Sequence, residues 1–131
     1  MSVKGLDHVG VVVADMAVAR GFLSEALGLQ LDREVDASAI GRRGVFYKCG
    51  TVEIELIEEL DSAARDRVLG GAQAKIDHLA LTVDSLADTM AALQARGVSF
   101  SRGPVEIGGR QNAWTGEGTS GGVTYQLVQK P

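Results

Sequence analysis

The sequence predicts an α+β protein built from two tandem β-α-β-β-β modules, which form an open, cup-shaped antiparallel barrel with the helices outside. Three observations predict it. The stretch L-D-H-V-G-V-V-V-A-D at Leu6–Asp15 recurs as I-D-H-L-A-L-T-V-D-S at Ile76–Ser85, and the chain's only two histidines, His8 and His78, hold the same place in each. In both halves a period-two apolar run gives way to three- and four-residue spacing that ends at a glycine, Gly28 and Gly97. The landmarks keep one offset: the histidines lie 70 residues apart, the glycines 69, and Glu55-Leu56-Ile57 precedes Gln126-Leu127-Val128 by 71. A constant offset across a strand, a helix end and a second strand is an internal repeat.

The first strand alternates. His8, Gly10 and Val12 point one way; Val9, Val11 and Val13, all β-branched, point the other and suit burial under a helix. Asp15 is placed to cap a helix through about Leu27, with Ala19, Phe22, Leu23, Ala26 and Leu27 as its apolar face and Gly28 as its left-handed end. Leu29–Val35 reads as a strand, Ala37–Gly44 as a polar turn, and Val45–Cys49 and Val52–Glu58 as strands joined at Gly50-Thr51. Residues 1–59 make the first module. Residues 60–75 read as a linker with a helical turn at Ser62–Leu69, and residues 76–131 make the second module within the same single domain.

In the second module Ile76–Val83 is a strand, and Asp84 or Ser85 caps a helix with Leu86, Met90 and Leu93 as its stripe. Val98–Ser101 is a strand, Gly103–Arg110 a glycine-rich loop containing Pro104, Gln111–Thr115 a short strand, Glu117–Gly122 a turn, and Val123–Gln129 the last strand.

The formal net charge of −4, with acids and bases interspersed, argues against nucleic acid or an anionic membrane as partner. No apolar run approaches the roughly 20 residues that span a bilayer, and the N-terminus lacks a signal-peptide pattern. The single cysteine, Cys49, excludes an intrachain disulfide and fits a reducing compartment. The expected location is the cytoplasm.

The inward face of each module carries the chemistry. Alternation puts His8, Gly10 and Val12 there in one first strand and His78, Ala80 and Thr82 in the other; in the last strands it sets Glu53, Glu55 and Ile57 apart, and Thr124, Gln126 and Val128. Glu55 and Gln126 are therefore equivalent. A lone histidine among valines is usually structural, but two at equivalent positions point to a shared centre. Two imidazoles, a carboxylate and a carboxamide suit one divalent ion, Zn, Co, Ni, Mn or Fe, whose identity affinity order alone does not select. Two of six coordination positions would be left for substrate or water.

These motifs resemble the vicinal oxygen chelate (glyoxalase/bleomycin resistance/dioxygenase) superfamily. The resemblance rests on D-H-V-G-V-V-V-A-D and its D-H-L-A-L-T-V-D echo, on G-T-V-E-I-E-L-I-E closing the first module and on G-G-V-T-Y-Q-L closing the second. It implies metal ligands at His8, Glu55, His78 and Gln126. It is nearest to the methylmalonyl-CoA epimerase-like members, through G-T-V-E-I-E-L and P-V-E-I-G-G-R, and so implies a metal-dependent enzyme. That enzyme would enolise a small carbonyl or acyl-thioester substrate, possibly a CoA thioester.

Two departures from the epimerase pattern stand out. The last ligand position, typically glutamate, is Gln126, which cannot accept a proton; this leaves Glu55 as the catalytic carboxylate. The histidine–proline pair usual before the last strand is replaced by W-T-G-E-G-T-S-G-G at Trp114–Gly122. Glu53 and Glu117 are further acid/base candidates. Arg110, with Arg42 and Arg43, is a candidate for pairing with a substrate carboxylate or phosphate, and Trp114 a candidate for the pocket wall. The alternatives are a glyoxalase I-like lyase acting on hemithioacetals and a metal-free drug-binding protein of the same fold. An aromatic content of 5% disfavours the stacking that the latter uses. Extradiol dioxygenases resembling this chain take their carboxylate from the last strand, where Gln126 stands. A homodimer is expected.

Overall fold

A computed structural model describes residues 3–131. The elements are β1 (Val3–Val13), α1 (Met16–Gly21), β2 (Leu31–Ala37), β3 (Arg42–Cys49), β4 (Val52–Glu59), α2 (Ser62–Leu69), β5 (Ala74–Val83), α3 (Leu86–Gln94), β6 (Phe100–Ile107), β7 (Arg110–Thr115) and β8 (Tyr125–Gln129). They form an α+β structure that packs as two units. One is His8–Asp77; the other comprises residues 3–7 with His78–Pro131. No helix among the described residues is long and apolar enough to cross a membrane.

In the His8–Asp77 unit the strand order is β2-β3-β4-β1. β3 pairs antiparallel with β2 and with β4, whereas β1 runs parallel to β4. Each unit therefore contains one parallel pairing inside a sheet expected to be antiparallel. The helical crossover after β1 is what lets the last strand return in the same direction.

Asp15 accepts a hydrogen bond from the Val18 amide at 3.1 Å and starts α1. The helix then widens. Phe22–Ala26 is a π turn, closed by the Leu27 N–H donating to the Phe22 carbonyl five residues back. The extra residue per turn rotates the expected apolar face: Met16 and Leu23 are buried under the sheet with Val13, Val45, Tyr47 and Leu56, but Phe22 and Leu27 are exposed. The 60–75 stretch contains α2, capped by Asp61 and ended by the left-handed Gly70. Its Leu69 packs with Val12 and Ile57, on the side of β1 and β4 that carries His8 and Glu55.

The second unit has the order β5-β8-β7-β6, with β5 parallel to β8 and the other pairs antiparallel. Ser85 caps α3, accepting from the Asp88 amide at 3.2 Å, and Leu86 and Met90 pack on Val83, Ala113 and Leu127.

The stretch expected to be a loop, Gly103–Arg110, is mostly strand: β6 runs to Ile107, and only Gly108-Gly109 turns the chain. Its pairing with β7 shifts register on both sides of Arg102, and such irregularities let a strand accommodate Pro104. At Gly103 (φ +93°), a Cβ would meet the Asn112 carbonyl and the Ala113 backbone.

Candidate metal and active site

Parallel pairing in the first unit sets His8 opposite Glu53 and Gly10 opposite Glu55. Gly10 presents no side chain, so the Glu55 carboxylate reaches along the sheet to the imidazole, and Glu55 Oε1 lies 3.2 Å from His8 Nε2. The imidazole is buried, at 3% exposure, and the carboxylate half-buried, at 14%. From β3, the Phe46 ring meets the imidazole edge-on at 5.0 Å. Gly44 provides further room, since a Cβ there would fall on the Glu55 Oε2 atom.

Beyond Phe46 stands Arg33, its guanidinium 3.8 Å from the ring centroid. Arg33 Nη1 donates to Glu53 Oε1 at 2.7 Å and to Asp32 Oδ2 at 2.6 Å. Burial pushes the Glu53 carboxyl above its ordinary value, while hydrogen bonding to Glu53 and Arg33 holds Asp32 below its own. Arg33 Nη2 and Glu53 Oε2 are buried and have no hydrogen-bond partner among the described residues. Glu53 is thus tied to Arg33, and Glu117 stands exposed on a short turn at Glu117–Thr119.

In the second unit Ala80 on β5 is opposite Gln126 on β8, the counterpart of Gly10 opposite Glu55. His78 and Gln126 are both buried. The Gln126 Nε2 group donates to Asn112 Oδ1 at 2.8 Å. Trp114, opposite Gln126 on β7, is buried, and the Arg102 guanidinium lies 5.7 Å from its ring centroid. Arg110 opens β7, and its backbone carbonyl accepts from Asn112 Nδ2 at 3.0 Å.

A family model for the glyoxalase/bleomycin resistance protein/dioxygenase superfamily matches residues 7–114. The chain belongs to that superfamily. Within it, the chain is similar to the mitochondrial methylmalonyl-CoA epimerases of Bos taurus and Homo sapiens, each 27% identical over 131 residues, covering 95% of this chain and 73% of the relative. Among solved structures it is similar to methylmalonyl-CoA epimerase from Mycobacterium tuberculosis, with 28% identity, a TM-score of 0.83, and 98% of this chain and 89% of that one covered. The Streptomyces coelicolor epimerase in complex with 2-nitronate-propionyl-CoA shares the fold at a TM-score of 0.88 and 18% identity, covering 98% of this chain and 99% of that one.

The superfamily motifs contain the histidines and Glu55, but they give no notice of Asn112, Arg33, Phe46 or Gly44. One signal for Asn112 was available: asparagine is depleted in strands, and this one sits inside R-Q-N-A-W-T. Arg33, Phe46 and Gly44 reach His8 and Glu55 only through the β2-β3-β4 register, in which Arg33 faces Phe46, Phe46 faces Glu55 and Gly44 faces Ile57.

Proposed function

We propose that the protein is a metal-dependent epimerase or isomerase that enolises a small acyl thioester, with methylmalonyl-CoA as the model for the substrate class. The observation that carries this reading is the His8–Glu55 pair, a buried imidazole and a half-buried carboxylate held at 3.2 Å next to a glycine that leaves space for the carboxylate. An imidazole and a carboxylate withdrawn from water in this way fit a compensating cation. The superfamily motifs add His78, and the three make a nitrogen-and-oxygen donor set suited to a divalent ion. Gln126 completes a set of four as a neutral oxygen donor. A bound divalent ion supplies Lewis-acid chemistry, lowering the cost of negative charge on a carbonyl oxygen. Kinship with enzymes named methylmalonyl-CoA epimerase supports the thioester class.

Glu55 is the one carboxylate in that donor set and therefore takes the α-proton. Its counterpart, Gln126, has an amide where a second base would stand, so one face of the substrate meets a base and the other does not. Glu55 removes and returns the proton on its own face, inversion takes a proton from solvent on the opposite face, and exchange of the α-proton therefore outruns inversion at the carbon. Trp114, beside Gln126, forms pocket wall, and Arg110 pairs with a carboxylate or phosphate of the substrate.

The test is α-proton exchange in D₂O, followed by proton NMR on acyl-CoA substrates with Co²⁺- or Mn²⁺-loaded protein. Exchange faster than inversion is expected, and Glu55→Gln should lower it by about 10²–10⁴-fold. Absence of exchange in the loaded wild type would overturn the proposal, and turnover of a hemithioacetal instead would reassign the reaction to a lyase.

A further inference from the structure

We infer that Asn112 is a positioning residue that fixes the Gln126 amide with its carbonyl oxygen, Oε1, as the metal-facing atom; the inference rests on the metal site proposed above. A glutamine offers a carbonyl oxygen or an NH₂ from one side chain, and only the oxygen coordinates a cation. Which atom faces the site is set by the neighbour of the other. Here the chain of hydrogen bonds begins at the backbone. Asn112 Nδ2 donates to the Arg110 carbonyl at 3.0 Å and to the Val105 carbonyl at 3.4 Å. Two carbonyls can only accept, so the Asn112 amide has one sensible orientation, with Oδ1 as an acceptor. Gln126 Nε2 donates to that oxygen at 2.8 Å. The Gln126 NH₂ is thereby turned to Asn112, and Oε1 is turned away from it.

Both residues are buried, Asn112 at 4% exposure and Gln126 at 7%, so reversing either amide would set acceptor against acceptor in a place that water reaches poorly. The strand register makes the contact: Asn112 and Trp114 share a face of β7, opposite Val128 and Gln126 of β8. The backbone carbonyls come from the two sides of the Gly108-Gly109 turn, so the β6–β7 hairpin determines the ligand's orientation. The same geometry favours glutamine over glutamate at position 126. A carboxylate at 126 would point an acceptor at Asn112 Oδ1.

The test is a double-mutant cycle on Co²⁺ affinity, read from the cobalt visible spectrum and by calorimetry, with Asn112→Ala, Gln126→Ala and the double variant. Asn112→Ala should weaken binding about tenfold or more, as loss of an orienting partner does for other metal sites. In the Gln126→Ala background it should cause no further loss. A merely structural asparagine would cost the same factor in both backgrounds, and that result, or an unchanged affinity in Asn112→Ala, would overturn the inference. If wild type takes up no Co²⁺, the metal proposal fails separately, and the orientation is read from hydrogen exchange of the Gln126 side-chain amide by ¹⁵N NMR. Slow exchange in wild type supports the hydrogen bond to Asn112, and fast exchange overturns it. That measurement on wild type also decides the matter if Asn112→Ala does not fold.

Discussion

The two halves of the repeat solve one problem with different chemistry. Each has an Asp-His pair at its first strand, and the boundary between the packed units falls within both pairs, separating Asp7 from His8 and Asp77 from His78. Asp77 meets a half-buried cation: Arg42 Nη1 and Nη2 donate to its two oxygens at 2.9 and 3.2 Å, while Arg42 Nε donates to Glu59. Asp7, equally a member of the motif, meets Lys130 at 2.6 Å, and that lysine is 45% exposed. Across the same repeat Glu55 becomes Gln126, and a charged partner to histidine becomes a neutral amide held by Asn112. Duplication preserves the position of a side chain; each unit then assigns it different partners.

The largest expected difference lies at the aspartates. Arg42 is 12% exposed and serves two carboxylates, so Arg42→Ala should destabilise by about 3–5 kcal/mol by stranding buried charge. Lys130→Ala should cost less, about 1–3 kcal/mol: its ammonium is half in water, but the Asp7 carboxylate it leaves is only 4% exposed. Urea denaturation of the two variants checks the ranking, and equal losses would break the comparison.

Glycines give the next contrast. Gly103→Ala pushes a Cβ into backbone atoms at a positive φ and should cost about 2–3 kcal/mol. Gly44→Ala meets only the end of the Glu55 side chain, which can move; stability should change by less than about 1 kcal/mol while Co²⁺ affinity falls about tenfold. Thermal melts beside cobalt titrations separate the two effects.

At the paired ligand positions, Gln126→Glu should destabilise by about 1–2 kcal/mol, because it aims a carboxylate at Asn112 Oδ1. Wild-type stability in Gln126→Glu, measured at neutral pH, would mean that Asn112 can reorient.

The smallest effect is one of pH. Burial raises the Glu53 carboxyl above its ordinary 4.5, so as pH climbs past that value the unfolded chain loses this proton before the folded one. The stability that Glu53 contributes is therefore fully present below 4.5 and is lost as pH rises through the raised value. Asp32, held below its ordinary 3.8, acts the other way, its contribution disappearing as pH falls below 3.8. The stability of wild type relative to Glu53→Gln should fall between pH 4 and neutrality; a flat difference would mean that Glu53 titrates normally.

Much of the fold was legible because it depends on short-range pattern. Strand alternation and helix caps needed only neighbouring residues, and Asp15 and Ser85 each cap a helix. The π turn after α1 is not legible because Phe22 and Leu27 fit a 3.6-residue period, and only their exposure shows that the turn widens. The continuation of β6 through Pro104 is not legible because glycine and proline usually end strands, and a register shift is a property of two strands together.

The candidate site divides along the same line. The sequence by itself determined the repeat, the strand faces that carry His8 and Glu55 in one half and His78 and Gln126 in the other, and the absence of a second carboxylate at 126. These follow from alternation within one segment. Only the tertiary structure decided the partners: Glu55 with His8, Arg33 over Phe46, Asp77 with Arg42, and Gln126 with Asn112. Partner choice depends on register between strands remote in sequence and on where burial leaves a polar atom to be satisfied, and neither is written in any one stretch of chain.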